Sequence, residues 1–167
     1  AAVSAQTGGT LVLANDNCPG QIVISGDDAS IEASLEAAKA AGAKRSVKLA
    51  VSIAAHSPLM ATASAEFRVI LANTAFQAPT MPVYGNVDAA PLTSPEAIRR
   101  ELDLQLTNSV RWTESVQAML AAGARQFVEV GPKDVLVGLL KRIDRSATGT
   151  PLNSADGLRA FISAAQS

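Results

Sequence analysis

His56 is the only histidine among 167 residues. Imidazole is the one side chain whose unperturbed pKa lies near neutrality, so His56 is the default general base if this chain takes part in catalysis. It sits in the run Ser52-Ile-Ala-Ala-His56-Ser57-Pro58-Leu59-Met60. Residues 45–52 before it alternate like a strand, and Ser57-Pro58 after it reads as the start of an apolar helix. A base at a strand-to-helix junction stands where α/β enzymes commonly place catalytic groups. The same position also admits a quieter reading, a hydrogen-bonded packing ring. No carboxylate stands out as its orienting partner. Cys18, the one cysteine, reads as a small packing residue. One Cys with one His does not complete a zinc site, and no disulfide can form within the chain.

The elements that must position His56 follow from periodicity and turn chemistry. Residues 10–15 and 21–25 are β-rich, and Asp16-Asn17-Cys18-Pro19-Gly20 between them is a turn-forming cluster. Asp27 or Asp28 then N-caps a helix with Ile31, Leu35, Ala38 and Ala41 on one face, stopped by Gly42. A strand over 44–51 completes a β-β-α-β pattern. Beyond it, the spacing predicts a helix over 59–73 with Leu59, Ala63, Phe67, Ile70 and Leu71 inward. A short strand over 81–84 follows, then helices over 95–107 and 110–122, and a buried-type strand over 126–130. A helix over 134–142 carries Val135, Leu136, Leu139 and Leu140; a strand over 150–152 and a helix over 156–164 close the chain. Strand-helix alternation after residue 80 predicts a parallel or mixed sheet with helices around it.

Composition narrows the function. With 48% hydrophobic and 17% charged residues the chain reads as globular, and its length suits one domain, or one plus a small subdomain. A net charge of −1 and only 4% aromatics give nucleic-acid binding neither an electrostatic nor a stacking basis. No apolar run approaches the ~20 residues that span a bilayer, so no membrane partner is expected. The first nine residues lack the pattern of an intact signal peptide, and a cytoplasmic location is the simplest expectation.

Several segments now converge in one order: Leu13-Ala-Asn15-Asp-Asn17-Cys-Pro19-Gly20-Gln21-Ile-Val-Ile-Ser-Gly26, Ala43-Lys-Arg-Ser-Val-Lys-Leu49, His56-Ser57-Pro58-Leu59-Met60, Pro82-Val-Tyr-Gly-Asn86-Val87-Asp88, Gln105-Leu-Thr-Asn-Ser-Val110-Arg111-Trp112, and Val128-Glu129-Val130-Gly131-Pro132. Together, from about residue 10 to the C-terminus, they resemble the malonyl-CoA:acyl carrier protein transacylases of type II fatty-acid synthesis. The acyltransferase domains of polyketide synthases are near neighbours. The resemblance implies an α/β fold: an incomplete ferredoxin-like small subdomain (β-β-α-β) over 1–52, then the C-terminal part of an α/β-hydrolase-like acyltransferase core over 53–167. It also implies a ping-pong acyl transfer. A Ser in a Gly-His-Ser-x-Gly elbow takes the malonyl group from coenzyme A, and the phosphopantetheine thiol of acyl carrier protein receives it. Malonyl-CoA is then a substrate, and no cofactor is covalently bound.

Carried over residue by residue, His56 matches the family's catalytic histidine. Gln105 matches the residue whose main-chain carbonyl orients it, in place of a triad carboxylate. Asn15 and Asn17 fall in a loop bordering the active-site gorge, where Asn is equally a turn residue. Asn86 falls at the floor beneath the base, with a capping role as the alternative. Ala55 matches a position linked to acyl-group choice, and its small side chain leaves room for a branched α-carbon. Lys133 departs from the small residue common at its position. Lys44, Arg45 and Lys48 read first as a solvated face, and second as a docking patch for an acidic carrier protein. The Gly-His-Ser-x-Gly elbow, the Gln-rich segment of the oxyanion hole and the malonyl-pairing Arg are absent from this sequence. Ser57 matches a non-nucleophilic position. The chain is therefore expected to be a C-terminal half that needs the N-terminal half as partner, and to be inactive alone. The alternatives are a polyketide synthase acyltransferase with another extender unit, and a non-catalytic ferredoxin-like and α/β binding module.

Overall fold

The computed structural model describes residues 2–165, an α/β arrangement of seven helices, one short 3₁₀ turn and six strands among those residues. In chain order the elements are α1 (Ala2–Thr7), β1 (Leu11–Cys18), β2 (Gln21–Gly26), α2 (Asp28–Ala40), the 3₁₀ turn Pro58–Met60, α3 (Ala61–Ala72), β3 (Val83–Tyr84), β4 (Pro91–Leu92), α4 (Pro95–Gln105), α5 (Trp112–Ala121), β5 (Gln126–Val130), α6 (Val135–Ile143), β6 (Thr148–Leu152) and α7 (Ala155–Ala165). Packing divides them into two units, Ala1–Asn17 with Gln21–Trp112, and Cys18–Gly20 with Thr113–Ser167.

In the first unit, β1 pairs with β2; the turn between them, Cys18–Gly20, is counted with the second unit and uses Pro19 followed by Gly20 at φ +77°, a conformation that only glycine adopts freely. Asp27 caps α2 as expected, accepting from Ser30 N at 2.9 Å. Its other oxygen accepts from Thr10 N at 2.6 Å, which ties the start of α2 to the head of β1. Ser94 caps α4, with Pro95 in its first turn. α3 and α4 are joined by Ser64 Oγ donating to Asp103 O (3.2 Å) and by Arg68 pairing with Asp103 (2.7 Å). Leu71 is buried there. β3 and β4 are antiparallel, Val83 opposite Leu92. Val110 forms a parallel bridge with Asn15, its N–H donating to Ala14 O at 2.8 Å.

In the second unit, β5 and β6 are parallel with Gln126 opposite Thr148 and Val130 opposite Leu152. α6 crosses between them and buries Val137, Leu139 and Leu140. Glu129 of β5 accepts from Val137 N at 2.8 Å, satisfying one of the first N–H groups of α6.

The structure departs from the sequence reading at definite places. Residues 44–51 form no strand; they run without a ladder partner, and Val47, Leu49, Val51 and Ile53 are each more than half exposed. Alternation sets which side chains share a face, but a strand exists only once its backbone groups are paired. The β-β-α-β pattern thus stops at β-β-α. The expected strand over 81–84 shrinks to β3, because Pro82 supplies no N–H to a ladder. Leu59 and Ile70, expected inward, are exposed, as are Val135 and Leu136. Alternation after residue 80 gives one parallel pair, β5–β6, and β3–β4 is separate and antiparallel. α1 and β4 had no counterpart in the sequence reading.

Candidate active site

The His56 turn is built by its neighbour. Ser57 is fully buried, in extended backbone conformation, and caps the 3₁₀ turn. Its Oγ donates to Ala54 O at 2.6 Å and accepts from Leu59 N at 3.2 Å. Pro58 occupies the first position of the turn, where a missing N–H costs nothing. This small clasp holds His56 at φ +58°, in the left-handed region that non-glycine residues rarely occupy. Strain of that kind persists where the surroundings over-determine it, and such positions cluster at functional sites.

The half-buried ring points at the end of α4. Its Nδ1 lies 2.9 Å from the main-chain oxygen of Gln105. A carbonyl oxygen only accepts, so Nδ1 carries the proton and donates. That leaves the Nε2 lone pair as the basic site. Among the described residues no hydroxyl bonds Nε2. Gln105 is the last residue of α4, and a carbonyl in a helix's final turn has no intrahelical N–H to accept from. The helix end thus supplies an acceptor without a carboxylate.

Around this pair the structure gathers some expected residues and not others. Asn86 Nδ2 donates to Gln105 Oε1 at 3.3 Å, and Asn86 O accepts from Arg111 N at 2.9 Å. Asn86 therefore braces the residue that holds the ring. Ala55 precedes His56 in the same turn and is half-buried. Asn15 bridges Val110, one residue before Arg111. Asn17, two residues further along β1, is joined to His56 by no described hydrogen bond. Lys48 pairs with Asp28 (3.1 Å) and Glu32 (2.8 Å), which raises its pKa through those hydrogen bonds. It is thus part of an exposed ion cluster with α2. Lys133 adopts φ +74°, so a side chain there is strained. A shallow groove lined by Arg68, Leu71, Arg99 and Asp103 holds neither His56 nor Gln105.

Sequence reasoning missed Glu101. It sits on α4 one turn before Gln105, only 6% exposed, with its carboxylate against the 85–87 loop. The loop's far end is pinned by Arg100 pairing with Asp88, whose carboxyl that guanidinium holds below the ordinary aspartate range. The one available signal was Gly85 before Asn86, a glycine at the end of a strand.

Residues 3–158 match the acyl transferase domain family. The chain is 45% identical over 148 residues to the malonyl CoA-acyl carrier protein transacylase of Escherichia coli, covering 89% of this chain and 48% of that protein. It is 41% identical over 140 residues to the transacylase of the same name from Bacillus subtilis, at 84% and 44%. It thus spans about half the length of the curated relatives it matches. Among solved structures it is similar to the malonyl-CoA:acyl carrier protein transacylase of Xanthomonas oryzae (TM-score 0.91, 39% identity, 98% of this chain and 52% of that one). It is also similar to a malonyl-transacylase solved with a type II PKS acyl-carrier protein (TM-score 0.93, 40% identity, 98% and 52%). With a family match over nearly the whole sequence, the chain belongs to the acyl transferase domain family.

Proposed function

We propose that this chain carries the general base of a malonyl-CoA:acyl carrier protein transacylase, and that the nucleophilic serine comes from the half of the enzyme it does not span. The observation that carries this reading is the Nδ1–H of His56 donating to Gln105 O at 2.9 Å. The ring is held in the tautomer whose Nε2 is free to take a proton. In the first half-reaction Nε2 removes the serine proton as its oxygen attacks the malonyl thioester, and coenzyme A leaves as its thiol when the imidazolium returns that proton. In the second, Nε2 takes the proton of the carrier protein's phosphopantetheine thiol, sulfur attacks the malonyl ester, and the serine is restored. The transient imidazolium faces the C-terminal end of α4, the end of a helix that accommodates positive charge. Malonyl-CoA is a substrate, acyl carrier protein the acceptor, and no step needs a bound cofactor.

The finer architecture belongs to the same reading. Residues 1–52 are an incomplete ferredoxin-like subdomain, and 53–167 the C-terminal part of an α/β-hydrolase-like core. Residues 44–51 become its strand once a partner strand from the missing half pairs with them. The apolar row Val47, Leu49, Val51 and Ile53, exposed here, supports that.

The test is a chimera in which this chain replaces the matching half of the Escherichia coli relative. Malonyl transfer from malonyl-CoA to the carrier protein is followed by mass spectrometry. The reading expects transfer by the chimera and none by this chain alone. Transfer by the chain alone, or a folded chimera that forms no malonyl-enzyme, would refute it.

A further inference from the structure

We propose that Glu101 is a positioning residue for the base, acting through the 85–87 loop and Gln105; this rests on His56 being that base. Glu101 and Gln105 stand four residues apart on α4, so they share one face. Both meet the same loop. Glu101 Oε1 accepts from the N–H of Asn86 at 2.6 Å and of Val87 at 3.1 Å, and Oε2 lies 3.3 Å from Val87 N. The Gln105 side chain accepts from Asn86 Nδ2, and the Gln105 main chain accepts from His56.

A carboxylate in the middle of a helix normally points to water. Burying one is costly unless its oxygens are satisfied. Among the described residues Glu101 forms no salt bridge, and its partners are two consecutive main-chain N–H groups. Such amides stabilise an anionic acceptor, with bonds stronger than neutral ones. The loop is shaped for it. A Cβ on Gly85 would stand 2.5 Å from Glu101 Oε2 and 2.7 Å from its carboxyl carbon, so no other residue fits there without displacing the carboxylate.

The consequence for the base is geometric. Asn86 is fixed at three points: its N–H by Glu101, its carbonyl by Arg111 N, and its side-chain amide on Gln105. Helix ends fray, and Gln105 ends α4. Clamping the loop on Glu101 keeps the last turn closed and the Gln105 carbonyl aimed at Nδ1. Releasing the clamp lets the carbonyl drift and the ring exchange tautomers, which lowers turnover without altering how coenzyme A is held.

The test uses the chimera described above with Glu101→Gln, Glu101→Leu and His56→Ala. Gln keeps the size and one oxygen for the two N–H groups, but it removes the charge that strengthens those bonds and sets an NH2 donor where Oε2 faces Val87 N. Leu leaves both N–H groups unpaired. The expected result for Glu101→Gln is a kcat lowered on the order of 10-fold with KM for malonyl-CoA within about twofold. The apparent pKa on the rising, acid-side limb of kcat/KM should move, and the ¹⁵N resonances of the His56 ring should shift toward a tautomer mixture. Glu101→Leu should lose more, on the order of 100-fold. Unchanged kcat, pH limb and ring resonances in folded Glu101→Gln would overturn the inference. So would a loss of folded protein alone, with the ring resonances of the remainder unmoved. His56→Ala separates the two levels: if it stays active, the base assignment has failed, whereas the ring resonances report the Glu101 clamp independently of turnover. If His56→Ala is inactive and Glu101→Gln is silent, only the clamp has failed.

Discussion

Ser57 lies beside the base, and the chain has no serine elbow. Replacing Ser57 with Ala therefore distinguishes a structural clasp from a nucleophile. The hydroxyl makes two bonds in a fully buried position, donating to Ala54 O at 2.6 Å and accepting from Leu59 N at 3.2 Å. Loss of the cap costs about 1 kcal/mol. The Ala54 carbonyl left unpaired costs about another 1 kcal/mol. A total near 2 kcal/mol is a factor of about 30 in an equilibrium constant. With a urea slope of about 2–3 kcal/mol/M, the unfolding midpoint of the chimera should fall by about 0.7–1 M. Turnover should fall by no more than about 30-fold, even if the whole loss appears as freedom of the His56 turn. Removing an attacking serine costs far more, on the order of 10⁶-fold in a serine hydrolase. The assays are a urea titration and malonyl-enzyme formation under single-turnover conditions. A loss of 10⁴-fold or more in a variant with a normal unfolding midpoint would refute the clasp and make Ser57 a reacting group.

Three further perturbations follow from the same structure. The Asp27 carboxyl is held below its ordinary value of 3.8, first by the Ser30 N–H and then by the Ser30 hydroxyl and Thr10 N–H. A lowered folded pKa adds stability that is present above the unfolded value and lost as pH falls through the folded one. Stability measured by urea titration should therefore decline below pH 3.8, and Asp27→Asn, which can still cap, should flatten that decline. Lys133→Gly should raise the urea midpoint by the equivalent of about 0.5–1 kcal/mol, since φ +74° strains Lys and suits Gly; a lowered midpoint would contradict the strain. Ala55→Phe should reduce kcat/KM for methylmalonyl-CoA relative to malonyl-CoA by about 10-fold or more, and an unchanged ratio would remove Ala55 from acyl-group selection.

The sequence disclosed most where local chemistry decides structure. The cap at Asp27 and Pro95 opening α4 are fixed by residues within a turn of each helix. It failed where pairing decides. Residues 44–51 have strand alternation but find no ladder among the described residues, and the apolar periodicity of 59–73 did not tell Leu71, buried, from Ile70, exposed. His56 was legible because it is alone, and Gln105 only by resemblance, because a carbonyl acceptor belongs to the backbone and leaves no side-chain mark. The left-handed φ of His56 and the burial of Glu101 were not legible. The first rests on the hydrogen bonds of the Ser57 clasp, which residue types alone do not announce, and the second on contacts with a loop 15 positions away.

The most direct test of the account is the pH dependence of kcat/KM for malonyl transfer by the chimera, measured beside His56→Ala. The account predicts a limb that rises as one group of imidazole character deprotonates, and a loss of at least about 10²–10⁴-fold, with no such limb, in His56→Ala. A His56→Ala chimera within tenfold of the parent, or one that keeps the same limb, would contradict the assignment of His56 as the base.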